Sequence, residues 1–289
     1  MATFNEKKTC SQRMENFSRF LWNPDTSEFM GRAPIKWVYI VSYYIAFYII
    51  MIGIFALSIY SLMKTISPYE PFYQDQIKSP GVTMRPDVYS DDAIVLYYNM
   101  SNKATYESSV KALIQFLEPY NTTTQQKINK NCTGVTDVAA FLSTSGRSKH
   151  ACQFLESELG DCAYNPDDKD PFGFQKGQPC IFLRINRIVH FVPRNHSTPT
   201  VKCLPKTKEE PWEVKYYPED ASFNLQYFPY YGKKAQPTFI NPVVAAKLVN
   251  VPHNKLIEVV CTVHADGIIT DNIHDPYEGK VTFKLNIQG

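Results

Sequence analysis

The chain has 289 residues, with 30 Lys or Arg and 28 Asp or Glu, so its formal net charge is only +2 at pH 7. A charge so close to zero excludes proteins that bind nucleic acid through a strongly basic surface. The length is sufficient for a packed domain in addition to a membrane anchor.

A polar segment, residues 1–36, comes first. In it Met14, Phe17 and Leu21 recur at helical spacing, which predicts a short amphipathic helix. Pro24 and its polar neighbours indicate a turn that ends this helix. Such a helix lies either on the lipid surface or against the cytosolic part of a partner protein.

An apolar segment follows, residues 37–63, and it contains no charged side chain. As a helix it would extend about 40 Å, more than the ~30 Å hydrocarbon core of a bilayer. It begins too far along the chain, and is too long, to be a cleaved signal peptide. We therefore predict a transmembrane helix that remains as a signal anchor in the lipid bilayer.

One stripe of this predicted helix is rich in aromatic side chains. At about 100° per residue the stripe contains Tyr44, Phe47, Tyr48, Met51, Phe55 and Ser58. Small residues, Ala46 and Gly53, lie on the opposite side. Because a hydroxyl in hydrocarbon is costly without a partner, the stripe predicts packing on another membrane protein. The alternative is a lone tilted helix that tolerates its aromatic residues.

Cysteines and glycosylation signals predict the orientation. Cys10 precedes the membrane segment, and the remaining six cysteines follow it: Cys132, Cys152, Cys162, Cys180, Cys203 and Cys261. Asn-X-Ser/Thr signals at Asn99, Asn121, Asn131 and Asn195 also follow it. Disulfides and N-glycans both form in the oxidising lumen, so we predict a single-pass type II protein with a cytoplasmic N-terminus. A further match at Asn16 is then expected to stay unmodified.

The segment after the membrane, residues 64–90, contains Pro68, Pro71, Pro80 and Pro86, which predicts an extended stalk. Residues 91–289 are predicted to form a disulfide-linked, glycosylated ectodomain.

Strict alternation of apolar and polar residues predicts two strands in the ectodomain, at residues 256–265 and 280–288. Further strands are predicted at 93–98, 181–185, 223–228 and 243–249. One helix is predicted at 106–120 and ends near Pro119. This pattern favours a mainly antiparallel β-sandwich with one inserted helix. Cys261 faces the core, where a disulfide would join its sheet to the other sheet or to a loop.

Catalytic motifs are missing from the sequence, which has no HExxH, GxSxG, glycine-rich phosphate loop or CxxC pair. Asp168-Lys169-Asp170 matches the D-x-D pattern with which Golgi glycosyltransferases hold a divalent cation. This motif lies in a proline-bounded turn, and the strand pattern lacks the α/β fold of those enzymes. We therefore predict no enzyme activity, no cofactor and no metal site, with a glycosyltransferase as a distant alternative.

Several segments, in this order, carry a family resemblance. They are LWNPDT (21–26), YYIAFY (43–48), YQDQIKSPGVTMRPDVY (73–89), GQPC (177–180), YFPYYGKKAQP (227–237) and HDPYEGKVTFKL (274–285). Together they resemble the β subunits of K+-transporting P-type ATPases along nearly the whole chain. KKTCSQRMENF (7–17) and HDPYEGKV are most similar to the gastric H+,K+-ATPase β subunits.

The resemblance implies an immunoglobulin-like ectodomain with the disulfides Cys132–Cys152, Cys162–Cys180 and Cys203–Cys261. It implies a non-catalytic subunit whose α partner hydrolyses ATP and moves the ions. The β subunit would help α to fold, assemble and reach the plasma membrane, apical in epithelia, and would tune K+ affinity and conformational equilibrium.

The resemblance also implies that Tyr44, Phe47 and Tyr48 pack on membrane helices of the α subunit. Tyr230 and Tyr231, in YFPYYGKK, are predicted either to contact α or to fill the edge of the sandwich. Two alternatives for the whole chain stay open at this point: a Na+/K+-ATPase β subunit, and a type II cell-adhesion glycoprotein.

Overall fold

The structure is a computed structural model that describes residues 10–72, 79–90, 93–142, 148–206 and 212–289. The chain divides into two units, Met1–Ile66 and Ser67–Gly289. The first unit contains the membrane helix, and the second contains both large β-sheets.

In the described part of the first unit, two helices are separated by a small hairpin. Its elements are α1 (Cys10–Leu21), β1 (Trp22–Asn23), β2 (Glu28–Phe29) and α2 (Pro34–Thr65). The predicted amphipathic helix is confirmed as α1, and the chain turns at Pro24 as expected. The hairpin was not predicted, because two-residue strands leave no periodic pattern in a sequence.

Helix α2 contains the whole predicted membrane segment and extends it by three residues at the start and two at the end. Pro34 occupies its first turn, where a missing N–H removes no helical hydrogen bond. Among the described residues, α2 is the one helix long and apolar enough to cross a membrane. None of its side chains is buried in this chain, so its apolar surface is free to meet lipid or another protein.

In its described residues the second unit has nine strands in two sheets. The strands are β3 (Val82–Arg85), β4 (Tyr89–Ser90), β5 (Ala93–Asn99), β6 (Cys180–Ile185), β7 (Thr200–Pro205), β8 (Glu213–Tyr217), β9 (Val244–Val249), β10 (Leu256–His264) and β11 (Lys280–Gln288). One sheet has the order β4-β5-β11-β10-β7, and the other has the order β3-β6-β9-β8. Every pairing described within the two sheets is antiparallel except that of β5 with β11.

The alternating strands bury the predicted faces. In β11, Val281, Phe283, Leu285 and Ile287 are buried, and β10 alternates in the same way through Cys261. Both sheets contribute to one hydrophobic core, in which Phe182 of β6 is as buried as Phe283. The mainly antiparallel β ectodomain is thus confirmed, and its two sheets are consistent with an immunoglobulin-like sandwich.

The predicted strand at 223–228 is wrong. Leu225–Tyr227 forms a 3-10 turn, capped by the Asn224 side chain, whose Oδ1 accepts a hydrogen bond from the Gln226 N–H at 3.0 Å. Pro229 follows and has no N–H to offer a sheet. The local turn chemistry of these two residues overrides the apolar alternation between them.

The folded ectodomain includes residues that the sequence assigned to the stalk. Strand β3 lies between Pro80 and Pro86 and pairs with β6, with Val82 opposite Ile185. Strand β4 also precedes the predicted boundary at Asp91, a residue that lies outside the described ranges. A strand of four residues between two prolines is too short a pattern to be recognised from the sequence.

The predicted helix is confirmed as α3 (Glu107–Leu117), with Leu113 and Leu117 buried. Two shorter helices, α4 (Thr122–Ile128) and α5 (Val138–Leu142), were not predicted. In α4 the buried residue is Gln125 rather than an apolar one, so its sequence shows no hydrophobic period.

Three disulfides cross-link the ectodomain: Cys132–Cys152, Cys162–Cys180 and Cys203–Cys261. These are the pairs that the resemblance implies. The expectation that Cys261 would reach the other sheet or a loop is wrong, because Cys203 of β7 lies directly opposite it on the neighbouring strand of the same sheet. The buried side of a strand faces its neighbours in the sheet as well as the facing sheet, so alternation alone could not distinguish these partners.

Candidate subunit interface

The D-x-D motif, Asp168-Lys169-Asp170, stabilises a loop through hydrogen bonds to the backbone. The Asp168 side chain accepts a hydrogen bond from the Asp170 N–H at 3.0 Å. The buried Asp170 carboxylate accepts the N–H groups of Gln175 at 2.9 Å and Lys176 at 3.1 Å. These oxygens stabilise the turn before β6, which gives the motif a structural explanation independent of any cation.

The aromatic stripe of α2 forms a continuous row of rings. The ring centroids of Tyr44 and Tyr48 are 6.2 Å apart, and those of Phe47 and Tyr48 are 5.6 Å apart. All three side chains are exposed in the isolated chain, Tyr44 by 50% and Tyr48 by 57%. The row therefore presents two phenol groups at positions that the hydrocarbon core would surround.

The two tyrosines also line a shallow apolar groove along α2, together with Trp37, Ile45 and Ile52. On the opposite side of the helix, a Cβ atom at Gly53 would meet no other heavy atom within 4 Å. One side of α2 is therefore shaped by aromatic rings, and the other permits close approach of a neighbouring backbone.

A second aromatic cluster lies in the loop that contains residues 227–237. Tyr230 is buried, its ring lies 4.7 Å from that of Phe239, and the Arg187 guanidinium lies 5.5 Å from its ring centroid. The Tyr230 carbonyl accepts a hydrogen bond from the His190 N–H at 2.8 Å. Tyr230 thus supports the loop from inside.

Tyr231 is only half-buried, and its ring packs against the side chains of Lys149 and His190. The Lys149 ammonium lies 4.4 Å from the ring centroid, and the His190 ring lies 5.6 Å away. Burial, with a smaller contribution from Asp137, raises the pKa of the Tyr231 phenol. A neutral phenol stacked with an ammonium group therefore stands at the surface of this loop.

The loop also contacts the first residues that follow the membrane helix in the sequence. The Lys234 ammonium lies 5.0 Å from the ring centroid of Tyr69. The Glu70 carboxylate lies 3.7 Å from Nε2 of His190, the residue whose N–H binds the Tyr230 carbonyl. A Cβ atom at Gly232, whose φ is +92°, would approach the Tyr69 carbonyl oxygen to 3.0 Å. Glycine is therefore required where the two segments meet.

Gln236 holds the shape of this loop and was not found from the sequence. Its side chain is buried, donates a hydrogen bond to the His150 carbonyl at 2.8 Å and accepts one from the Tyr231 N–H at 3.1 Å. Its own N–H donates to the Gly232 carbonyl at 2.8 Å. No pattern in the sequence links Gln236 to His150, because the contact spans 86 residues.

Replacement of Gln236 by leucine should destabilise the ectodomain by about 2–3 kcal/mol, because the partly buried His150 carbonyl and Tyr231 N–H each lose a partner. Thermal melting of the purified chain measures the change. Lys233→Ala, at an exposed position of the same loop, is the matched control and should leave the melting temperature within error. Equal melting of the two variants would contradict the anchoring role of Gln236.

The four glycosylation signals lie at accessible positions, with Asn99 at the end of β5 and Asn121 directly before α4. The side-chain oxygens of Asn99, Asn121 and Asn131 each accept a hydrogen bond from the N–H two residues later, at 2.8, 3.0 and 2.9 Å. Asn195 instead donates from Nδ2 to Asp266 at 2.9 Å. Asn121, Asn131 and Asn195 are exposed and Asn99 is half-exposed, so surface position is compatible with modification at all four.

Comparison with known proteins identifies the family. Residues 7–283 match the family model described as sodium / potassium ATPase beta chain. The chain is 50% identical to the potassium-transporting ATPase subunit beta of Canis lupus familiaris over 294 residues and 47% identical to that of Homo sapiens over 296, in both cases over 100% of each chain. It is 36% identical to the sodium/potassium-transporting ATPase subunit beta-2 of Mus musculus over 291 residues, or 99% of each chain. With matches that extend from the N-terminal segment through the membrane helix to the last strand, the chain belongs to the sodium/potassium ATPase beta chain family.

Proposed function

We propose that this chain is the non-catalytic β subunit of a P-type ATPase that exchanges H+ for K+, bound to a catalytic α subunit. The observation that carries this proposal is the difference in identity between the two groups of relatives. Identity to the potassium-transporting β subunits is 47–50%, and identity to the sodium/potassium-transporting beta-2 subunits is 35–36%. The Na+/K+ alternative is correspondingly weaker.

In this role the α subunit hydrolyses ATP and moves the ions, while the β subunit supports the folding, assembly and surface delivery of α. It would also tune K+ affinity and the balance between pump states. Such tuning requires contacts that differ between the states, because a partner that binds both equally shifts neither.

We assign the membrane part of the interface to Tyr44, Phe47 and Tyr48. Their rings form one row on α2, and nothing else in the described chain buries them. Packing on helices of the α subunit would give the two phenol groups hydrogen-bond partners that hydrocarbon cannot supply.

We assign the extracellular part of the interface to the loop of Tyr230 and Tyr231, with different roles for the two residues. Tyr230 is 9% exposed and shapes the loop from below. Tyr231 and its neighbour Lys149 are the groups that a partner surface would touch.

We further propose a type II orientation, with the N-terminus in the cytoplasm, in the plasma membrane and on the apical side of epithelia. The three disulfides lie after α2, and the free Cys10 lies before it. Proteins keep their disulfides in the lumen and outside the cell, which supports this orientation.

Single Asn→Gln substitutions at Asn99, Asn121, Asn131 and Asn195 should each remove one glycan, and Asn16→Gln should remove none. Electrophoresis before and after enzymatic deglycosylation counts the glycans. A glycan on Asn16 would contradict the proposed orientation, because that residue would then face the lumen.

Affinity purification of the tagged full-length chain from native epithelial membranes in mild detergent tests the function. Mass spectrometry should identify an H+,K+-type catalytic chain in near-equal amount. Recovery of a Na+,K+-type chain would retain the subunit role and change the ions. Recovery of no P-type ATPase would overturn the proposal and favour the alternative of a type II cell-adhesion glycoprotein.

A further inference from the structure

We propose that residues 10–33, here called the N-terminal module, lie in the headgroup region of the membrane surface, with the apolar face of α1 in contact with lipid. This inference rests on the proposed function only in that α2 spans the bilayer. It concerns a surface whose partner is a lipid layer, independent of the α subunit.

Helix α1 has an apolar face that nothing in the described chain covers. Met14 is 68% exposed and Phe17 is 57% exposed, and Cys10 and Leu21 continue the same face at helical spacing. No residue of α1 is buried. A helix with this division, and low overall hydrophobicity, is typical of those that lie in the plane of a membrane interface.

The other face of α1 is polar and suited to water. Glu15 and Arg19, one turn apart, form an ion pair at 3.6 Å with both side chains well exposed. Asn16 also lies on this side, roughly opposite Met14. The two faces thus place an apolar and a hydrated surface back to back on one helix.

The hairpin holds α1 close to the start of the membrane helix. Trp22 pairs with Phe29, and the Met30 N–H donates to the Leu21 carbonyl at 3.1 Å. The Trp37 indole N–H donates to the Phe29 carbonyl at 2.8 Å, with the two rings 5.7 Å apart. The last residue of α1, Leu21, is therefore hydrogen-bonded to Met30, which lies only four residues before the start of α2.

Residue types that favour the headgroup level lie in this hairpin and in the adjoining ends of α1 and α2. Phe20 and Trp22 are more than half exposed, and Trp37 is the first residue of the uncharged segment. Arg32 and Lys36 lie just before it. Amphipathic rings and basic side chains concentrate where hydrocarbon meets water.

These observations indicate that lipid, rather than a protein, covers the apolar face of α1. Lipid surrounds a single spanning helix on every side that a partner does not cover, and α1 is held within a few residues of the point where α2 enters. Its apolar face therefore meets the membrane surface without the need for a second binding site.

Cys10 makes the test direct, because the chain has 7 cysteines and the other six form the three disulfides. A nitroxide attached to Cys10, or to Phe17→Cys in a Cys10→Ser background, reports depth by its collisions with oxygen and with a water-soluble nickel complex. Asn16→Cys in the same background is the matched control on the polar face. The full-length chain is measured in lipid nanodiscs, with and without its co-purified partner.

We expect the labels at Cys10 and Phe17→Cys to lie about 5–10 Å below the headgroup surface, the depth of interfacial helices. The Asn16→Cys label should collide mainly with the nickel complex. Equal exposure to nickel at all three positions would overturn the inference in favour of a free tail. Protection from both reagents only when the catalytic partner is present would overturn it in favour of protein docking. Both of these results leave co-purification of the partner unchanged, so they are distinguishable from failure of the proposed function.

Discussion

A chain with Tyr44→Ala and Tyr48→Ala should recover far less α subunit than the unchanged chain at equal β expression. Each substitution removes a ring from the row on α2. It also removes a hydroxyl group that would need a hydrogen-bond partner within the hydrocarbon core. Interhelical contacts of this kind contribute about 0.6–1.7 kcal/mol each in membranes, so the pair should weaken association by roughly 8-fold to 300-fold. Quantitative co-purification in mild detergent measures the loss.

Two controls make this prediction specific. Ile50→Ala with Leu57→Ala removes similar apolar area from the opposite side of α2 and should leave recovery close to normal. Tyr44→Phe with Tyr48→Phe retains the rings and isolates the contribution of the hydroxyl groups. Normal α recovery with the double alanine chain would rule out this row as the membrane interface.

Loss of the Cys203–Cys261 disulfide, through Cys203→Ala with Cys261→Ala, should prevent stable folding of the ectodomain. The bond closes a sequence separation of 58 residues, for which the chain-entropy model gives about 4 kcal/mol. Most domains have only about 5–15 kcal/mol of total stability. We expect rapid digestion by added protease, retention inside the cell and loss of α recovery.

The free thiol supplies the matched control. Cys10→Ser should change neither protease resistance nor surface delivery. Removal of the Cys162–Cys180 bond, with a separation of 18 residues, should cost about 3 kcal/mol and give an intermediate result. Unchanged protease resistance after loss of Cys203 and Cys261 would show that packing alone holds β7 against β10.

The strands that could be predicted from the sequence are long ones, in which every second residue is buried over many positions. In β10 and β11 one side faces the core over nine residues, so alternation is visible. Strand β3 has only four residues, and helix α4 buries Gln125, so neither shows a pattern. At residues 223–228 alternation was present, but the side chain of Asn224 formed a local cap instead.

The same distinction applies to the proposed interface. The row of Tyr44, Phe47 and Tyr48 could be predicted because helical geometry is set by local hydrogen bonds, so spacing fixes the face. The support of Tyr231 by Lys149 and Gln236 depends on where separate loops meet, which no local rule determines.

The position of β11 has a consequence for biosynthesis. This strand lies between β5 and β10, and its pairing with β5 is the parallel one. The five-stranded sheet therefore keeps a gap at its centre from the synthesis of Asn99 until Lys280–Gln288 has been synthesised. At about 5–20 residues per second the ribosome needs roughly 10–40 s for that stretch. During this interval the nascent chain exposes unpaired strand edges to chaperones, so this sheet can close only after β11 has been made.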